Sequence, residues 1–509
     1  MIARRSMLFF LANVVGAILG AVGIFVVARF TPNALEILGL IGFGIGFVGV
    51  FFVVTNLGIP AAHIKRVSQG EPLDHAIGTY AALNLLQVGI AVGATLLGLY
   101  IWTGVLGRGF QTPLELPIIY VMLVYYVAIA LAAIGFSTFN ARLETAKGQT
   151  ANLTGTVIRV AGMVAVTLFG FGAIALSWAY ALGAVAAGLV VLFLLRRYPV
   201  ARPRMSLVRS YLRFATPLAV PAALGALTIT LDKTLIQLFW GVDQTGLYFT
   251  VQKVFLLLTV ISAAVALLLF PSVSRLHAQN DLEALRTKTR QAERYLTMIM
   301  APVIAFLLLY PEGTIHVLLS DPFLPGARVL RLFAVLTFLS ALLVPRVAIL
   351  QGMDLSDLYG RASLVGVVVT LVLFAVLIPP SVFGVPLVGL GAEGAALSFV
   401  VGTTVILGLA LVFSFRVVGD RIGRSVGLHV GAALGLGVVF ALIVPPATGL
   451  AWQWFHLVGV SAAFLAGYVA ILAVVGEFRK EDLRLFLDLL DPRKMARYVH
   501  GELTSKEIE

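Results

Sequence analysis

The 509-residue chain is 60% hydrophobic and only 12% charged, with a mean hydropathy of +1.02, which excludes a water-soluble globular protein and makes the lipid bilayer its solvent. A formal charge of +12 would suit nucleic acid, but the basic residues sit in short links beside apolar runs, so a nucleic-acid partner is excluded too. The absence of cysteine removes disulfides, thiolate metal sites and cysteine nucleophiles.

The apolar runs are long enough, at about 1.5 Å per residue, to cross a hydrocarbon core of roughly 30 Å. In chain order they predict fourteen spans, over residues 6–28, 37–59, 76–104, 117–139, 150–169, 173–195, 216–240, 244–270, 296–319, 329–351, 362–379, 391–415, 428–444 and 452–475. Arg4 and Arg5 give the first run the look of a signal peptide, but it exceeds the roughly 7–15 residues of a signal core and is read as a span. The links alternate in charge. Lys65 with Arg66, Arg142 with Lys147, Arg196 through Arg213, Arg275 through Arg294, Arg361, and Arg416, Arg421 and Arg424 fall on one side with both termini; links 31–36, 241–243 and 445–451 carry almost no Lys or Arg. The positive-inside rule makes the basic side cytoplasmic, for a multi-pass protein of the cell membrane. Beyond the last span, Leu483, Phe486, Leu487 and Leu490 recur among charges at helical spacing, which predicts an amphipathic helix on the inner leaflet.

Small residues carry an internal repeat of a little over 200 residues. Leu19-Gly20-Ala21 recurs as Leu224-Gly225-Ala226, and Gly39-Leu40 as Gly246-Leu247. Gly170 followed by Ala175-Leu176-Ser177 recurs as Gly391 followed by Ala396-Leu397-Ser398. The expected organisation is therefore all-α, with a lobe over residues 1–214, a pseudo-symmetric second lobe over 215–427, a helix pair over 428–476 and a cytoplasmic tail over 477–509. Six spans per lobe is an even number, so the repeats are parallel, related by an axis along the membrane normal.

Gly389-Leu390-Gly391-Ala392-Glu393-Gly394 fits G-x-G-x-x-G but opens a span instead of following a strand, so it is no nucleotide site. Neither a Walker A sequence, a zinc-binding helix motif nor a nucleophile elbow occurs, and the sequence points to no enzyme, cofactor or metal. The informative residues are ionisable ones inside spans, because a charge near the bilayer centre costs at least about 2.5–3.5 kcal/mol and so faces a cavity or a partner. Asp232 and Lys233 lie about 12 Å in from the outer end of the seventh span, and Lys253 at similar depth in the eighth, so the three can share one chamber. Arg159 falls mid-way along the fifth span, Arg346 nearer the basic side of the tenth, and Arg29 closes the first. Cations outnumber the one carboxylate in this set, so a cavity built from them suits a phosphate or another anionic headgroup. Two roles stay open for Asp232 with Lys253: a structural ion pair, or substrate binding and ion coupling, with Asp232 the coupling residue. Arg29, Arg328, Arg331 and Glu393 lie near span ends, where snorkelling is cheap. Pro217, Pro221, Pro271, Pro302 and Pro345 weaken helix ladders at or inside spans.

Leu231-Asp232-Lys233 with Gly241 and Gly246-Leu247-Tyr248, then Phe270-Pro271-Ser272, Leu377-Ile378-Pro379 before Gly391 to Ala396, and Thr55-Asn56-Leu57-Gly58 with Lys65-Arg66 together resemble the polysaccharide transporter family, the oligosaccharide (O-antigen type) flippases of the multidrug/oligosaccharidyl-lipid/polysaccharide exporter superfamily. The resemblance covers nearly the whole chain. It implies fourteen helices in two lobes that alternately open a central cavity and move a polyprenyl- or dolichyl-linked glycan across the membrane. The substrate partner is then a lipid-linked oligosaccharide, with membrane lipids around it, glycan-assembly enzymes nearby, and a monomer as the working unit. Lipid II flippases carry several arginines along the first two helices, where this chain has only Arg29, which counts against a peptidoglycan precursor. The alternatives are a cation-coupled exporter of small amphiphiles and, less favoured, a membrane glycosyltransferase or polymerase, which needs a larger outer loop than residues 31–36 provide.

Overall fold

Lipid offers no hydrogen bonds, so every backbone N–H and C=O within the hydrocarbon has to be satisfied by the chain itself, and the apolar runs accordingly form helices. The computed structural model describes residues 2–105, 107, 109–444, 453–479 and 482, with the side chains of 2–11, 145, 264, 267 and 268 excepted. The expected tail helix beyond Leu483 and the link 445–451 lie outside the described residues. Among the described residues, fourteen helical segments are long and apolar enough to cross a membrane. In chain order the helices are α1 (Ile2–Phe30), α2 (Ala34–Phe52), α3 (Ile59–Ser68), α4 (Leu73–Tyr100), α5 (Glu115–Ala141), α6 (Thr145–Phe169), α7 (Ala173–Leu195), α8 (Met205–Trp240), α9 (Val242–Ala278), α10 (Leu282–Leu309), α11 (Pro311–Leu318), α12 (Ala327–Gly352), α13 (Ser356–Leu377), α14 (Gly391–Val418), α15 (Arg424–Ile443) and α16 (Trp454–Val474). A two-stranded hairpin, β1 (Ser381–Val382) and β2 (Val385–Pro386), joins α13 to α14 with Ser381 opposite Pro386 and Val382 opposite Val385.

The span expected over 37–59 is α2 with the turn after it, and it ends where the separate α3 begins. A 3₁₀ turn at Val53–Asn56 ends α2, and Gly58, at φ +85°, redirects the chain into α3 while a Cβ built there would lie 3.3 Å from Ala215 of α8. That backbone conformation and that proximity both favour glycine. The span expected over 296–319 likewise stops at Leu309, and Pro311, which has no N–H to leave unpaired, opens the separate α11. Pro217, Pro221, Pro271, Pro302 and Pro345 all lie inside continuous helices, and α9 runs through Pro271 as far as Ala278.

The packing repeats element for element. In the first half α1 packs on α6, α6 and α5 on α7, and α2 and α4 on α5; in the second, α8 packs on α13, α13 and α12 on α14, and α9 and α10 on α12. Membrane helices approach through small residues because lipid supplies no hydrophobic drive between them, and here matching crossings use glycine on both sides. A Cβ on Gly155 of α6 would lie 2.6 Å from the Gly183 carbonyl oxygen of α7, and one on Gly183 would lie 2.7 Å from that of Gly155. Gly366 of α13 and Gly402 of α14 repeat the arrangement at 2.7 and 2.8 Å.

The halves meet where α2 crosses α8 and α9 and where α1 meets α9. At the α2–α9 crossing the repeated glycines face each other: a Cβ on Gly39 would lie 2.1 Å from the Val242 carbonyl oxygen, and one on Gly246 would lie 2.0 Å from that of Leu35. This seam is at the membrane end opposite the basic links. At the basic end, α15 and α16 pack against α10. Arg294 of α10 holds Glu477 and Asp482, just past α16, at 2.7 Å each. The Arg294 guanidinium pulls the Asp482 carboxyl down to about 2, so this clamp stays ionised until the pH falls below the ordinary aspartate range.

The Gly39–Gly246 seam leaves no room for a side chain. In a Phe47→Cys reporter, otherwise cysteine-free, Gly39→Val is expected to raise labelling by a membrane-impermeant thiol reagent several-fold, because Phe47 lines the cavity beside the seam. Unchanged labelling in a folded variant would show that the seam does not control access.

Candidate functional site

The site is built on α8 and α9, which face α2 and α1 across the junction of the halves. Asp232 and Lys233 are both buried. Adjacent residues on a helix point about 100° apart, yet the lysine stem curls back so that its Nζ donates to both carboxylate oxygens, at 3.0 and 3.1 Å, and to the Ile229 carbonyl at 2.9 Å. The Lys233 backbone N–H adds a bond of 2.7 Å to Oδ1, and the Tyr248 hydroxyl of α9 donates to Oδ2 at 2.8 Å. Asp232 therefore takes Lys233 and Tyr248 as partners, in place of the pairing with Lys253 considered from the sequence. Gly46 of α2 lies against this turn, its Cβ position 2.9 Å from the Thr230 carbonyl and 3.0 Å from Lys233 Cβ.

Lys253 stands over the Phe249 ring with its ammonium 4.3 Å from the centroid. It lies within electrostatic reach of Lys233, Arg159 and Asp232, so side chains of both halves share one field. The acidic member of that field is already held by Lys233 and Tyr248. Arg159 comes from α6, against α1 and α7: its Nη2 is 3.3 Å from the Cβ position of Gly20, and its guanidinium lies 5.6 Å from the Tyr180 ring centroid. Its Nε is buried and has no hydrogen-bond partner among the described residues. A cavity of about 220 Å³ opens beside it, lined among others by Tyr125, Asn152, Thr156 and Tyr180. Tyr125 stands edge-on to Tyr126 and Tyr180, with centroids 5.2 and 6.2 Å apart, and Tyr126 donates to the Ile45 carbonyl of α2 at 2.9 Å. Charge and aromatic surface thus lie side by side at the Arg159 cavity.

Arg346 and Arg29 sit elsewhere. Arg346 is fully buried on α12 and paired with Glu293 of α10 and with Asp420 beyond α14, while Arg290 holds Asp420 from the other side at 3.0 Å. Two carboxylates answer it within the second half. Arg29 caps the contact of α1 with α11 by donating to the His316 carbonyl, next to a bond of 2.9 Å from Ser320 Oγ to the Ala28 carbonyl. The residues left near one another at the junction are therefore Arg159, Lys233, Lys253 and Asp232. Sequence reasoning missed the roles of Tyr125, Tyr180 and Tyr248, although Tyr248 belongs to a run whose pattern had been noted. It also missed Glu115 at the start of α5, whose carboxylate accepts from Gln237 of α8 at 2.9 Å across the halves and lines a cavity of about 270 Å³ with Phe43, Phe47 and Trp102.

Comparison with known proteins agrees with this architecture. Residues 26–328 match a family described as polysaccharide biosynthesis protein. A probable low-salt glycan biosynthesis flippase, Agl15 of Haloferax volcanii, is 24% identical over 406 residues, covering 79% of this chain and 82% of its own. Among solved structures, the lipid II flippase MurJ in an inward closed conformation superposes with a TM-score of 0.72 at 13% identity, over 92% of this chain and 98% of its own. An inward-facing multidrug resistance MATE family transporter of the MOP superfamily gives 0.61 at 17% identity, over 80% and 94%. These two share the fold.

Asp232→Asn keeps the side chain's size but leaves the Lys233 ammonium buried without its counter-charge, which costs about 3–5 kcal/mol. The denaturation midpoint in detergent should fall accordingly, and adding Lys233→Met should restore most of it. A single variant as stable as the parent would mean that the pair carries no structural weight.

Proposed function

Because this chain belongs to the polysaccharide biosynthesis protein family, we propose that it is a flippase carrying a polyprenyl- or dolichyl-phosphate-linked oligosaccharide from the cytoplasmic to the outer leaflet of the cell membrane. The observation that supports this reading is the cluster at the junction of the halves in which Arg159, Lys233 and Lys253 outnumber Asp232, with a cavity beside Arg159. Such a lipid presents an anionic phosphate joined to a polar glycan, and both have to leave water to cross. Charge-assisted bonds from guanidinium and ammonium groups replace the lost hydration of the phosphate, tyrosine rings offer flat faces to sugars, and the lipid tail stays in the bilayer. The similarity to Agl15, named as a glycan biosynthesis flippase, supports the same substrate class. The family and its relatives point to transport rather than catalysis.

The basic links support a cytoplasmic side for that end of the molecule, with both termini there, by the positive-inside rule. With the seam at Gly39 and Gly246 closed at the other end, the described conformation is closed to the outside. Residues 1–214 and 215–427 act as the two lobes that rock, and 428–476 adds a helix pair. Asp232 is the candidate carboxylate for coupling to an ion gradient, because it holds the Lys233 ammonium that the substrate phosphate would otherwise meet. The alternative, cation-coupled export of small amphiphiles, suits the fold of the MATE neighbour, but the excess of positive charge at the junction favours an anionic headgroup.

Liposomes containing a fluorescent lipid-linked oligosaccharide and an external quencher test the proposal. The protein should speed exchange over empty liposomes. Losing one charge-assisted bond of about 1.5–3 kcal/mol in Arg159→Gln or Lys253→Gln should slow it roughly 10- to 100-fold, while a lipid with an uncharged headgroup should show no such difference. No acceleration by the parent protein, with or without an imposed gradient, would sink the flippase reading.

A further inference from the structure

A cavity of about 760 Å³, apart from the central chamber, opens at the basic end of the second half, among α10, the link from α14 to α15, and the residues after α16. Its volume is in the range of small-ligand sites. Five arginines line it, Arg290 and Arg294 from α10, Arg421 and Arg424 from the link and first turn of α15, and Arg479 from beyond α16, against the carboxylates of Glu293 and Asp482. The carboxylates in and behind the wall are already engaged. Glu293 is taken by Arg346, Asp420 by Arg346 and Arg290, and Glu477 and Asp482 by Arg294. Arg421, Arg424 and Arg479 are exposed and bring their charge to the opening from separate stretches of chain.

Two further details favour an anion. Arg421 is steadied by the Phe415 ring, 5.0 Å from its guanidinium carbon, a contact that leaves its N–H donors available. The N-terminus of α15 lines the same cavity through Gly423, Arg424, Ser425 and Val426, so the positive end of its dipole lies beside the guanidinium groups, with the Gly423 N–H itself donating to Glu293 at 3.2 Å. A positive-inside bias accounts for basic residues at this end of the membrane. It does not account for five guanidinium groups gathered around one concavity.

We propose that this cavity binds a phosphate group, with Arg421, Arg424 and Arg479 as its ligands. The phosphate comes either from the headgroup of an anionic lipid of the adjacent leaflet or from a soluble phosphate. Because the three ligands belong to the α14–α15 link, α15 and the segment after α16, occupancy ties these three stretches of the C-terminal helix pair to one another. The inference requires only that the basic end lies at a membrane surface, so it stands independently of the glycan reading.

The test uses the full chain in mixed micelles, with phosphatidylglycerol or phosphatidylcholine as the probe lipid, bound lipid counted by native mass spectrometry, and inorganic phosphate or pyrophosphate as competitors. Phosphatidylglycerol should bind the parent at least about tenfold more tightly than it binds the Arg421→Gln, Arg424→Gln, Arg479→Gln triple variant. Arg328→Gln, an exposed arginine whose side chain is 76% accessible on another face, should bind like the parent. Arg479→Glu, outside any helix, repeats the comparison if the triple variant fails to fold. Competition by the inorganic anions would identify a soluble ligand, and its absence a headgroup held with its leaflet. Equal phosphatidylglycerol binding by parent and variants overturns the proposal.

Discussion

The crossing of α2 over α9 at Gly39 and Gly246 is the contact on which the rest of the structure depends. In water two amphipathic helices could be held together by burying apolar surface, but in lipid that drive is absent and close backbone approach has to supply the attraction. Each glycine leaves space for a carbonyl four residues before the other, so the contact is self-complementary and follows from the repeat itself. The same device closes α6 on α7 and α13 on α14 within the halves.

Charge is treated in two ways in this protein, and the contrast separates structure from site. Arg346 is buried between Glu293 and Asp420, with Arg290 behind them. Removing any member of such a cluster strands the others, so it fixes α10, α12 and the end of α14 in one arrangement. Arg159 and Lys253 instead meet aromatic rings and small residues. A cation in hydrocarbon without a carboxylate is costly, and that cost falls only if water or an anionic ligand enters the chamber.

Much of the architecture was legible in the sequence, because hydropathy reports directly what the bilayer demands. All fourteen spans could be located, and the repeated Gly-Leu pairs at 39–40 and 246–247 lie at the seam. The break at Gly58 falls where the expected second span ends, after Thr55-Asn56-Leu57; what hydropathy did not show is that the chain goes on as the separate α3. The charges were only partly legible. Arg346 looked like a cavity residue because its neutralising carboxylates lie 53 and 74 positions away in the chain. Asp232 was weighed against Lys253 because neighbouring helix residues rarely meet, whereas the long lysine stem here folds back onto its neighbour. A sequence shows which residues are charged and how deep they lie; which charge answers which is decided by folding.

The unequal environments of the chamber cations imply an order of events on the proposed reading. Lys233 is already held by two carboxylate oxygens and a carbonyl, so an incoming phosphate would have to displace them. Arg159 and Lys253 have no carboxylate to surrender, and they come from opposite halves, on α6 and α9. Their like charges repel while the chamber is empty, and an anion between them turns that repulsion into attraction to a shared centre. The phosphate would therefore meet Arg159 and Lys253 first, and meeting both would draw the halves together around it. Lys233 becomes available only when Asp232 gives it up, so the third contact would form last. Under that order the substrate itself closes the chamber, and the buried Asp232–Lys233 pair decides how tightly the closed chamber holds it.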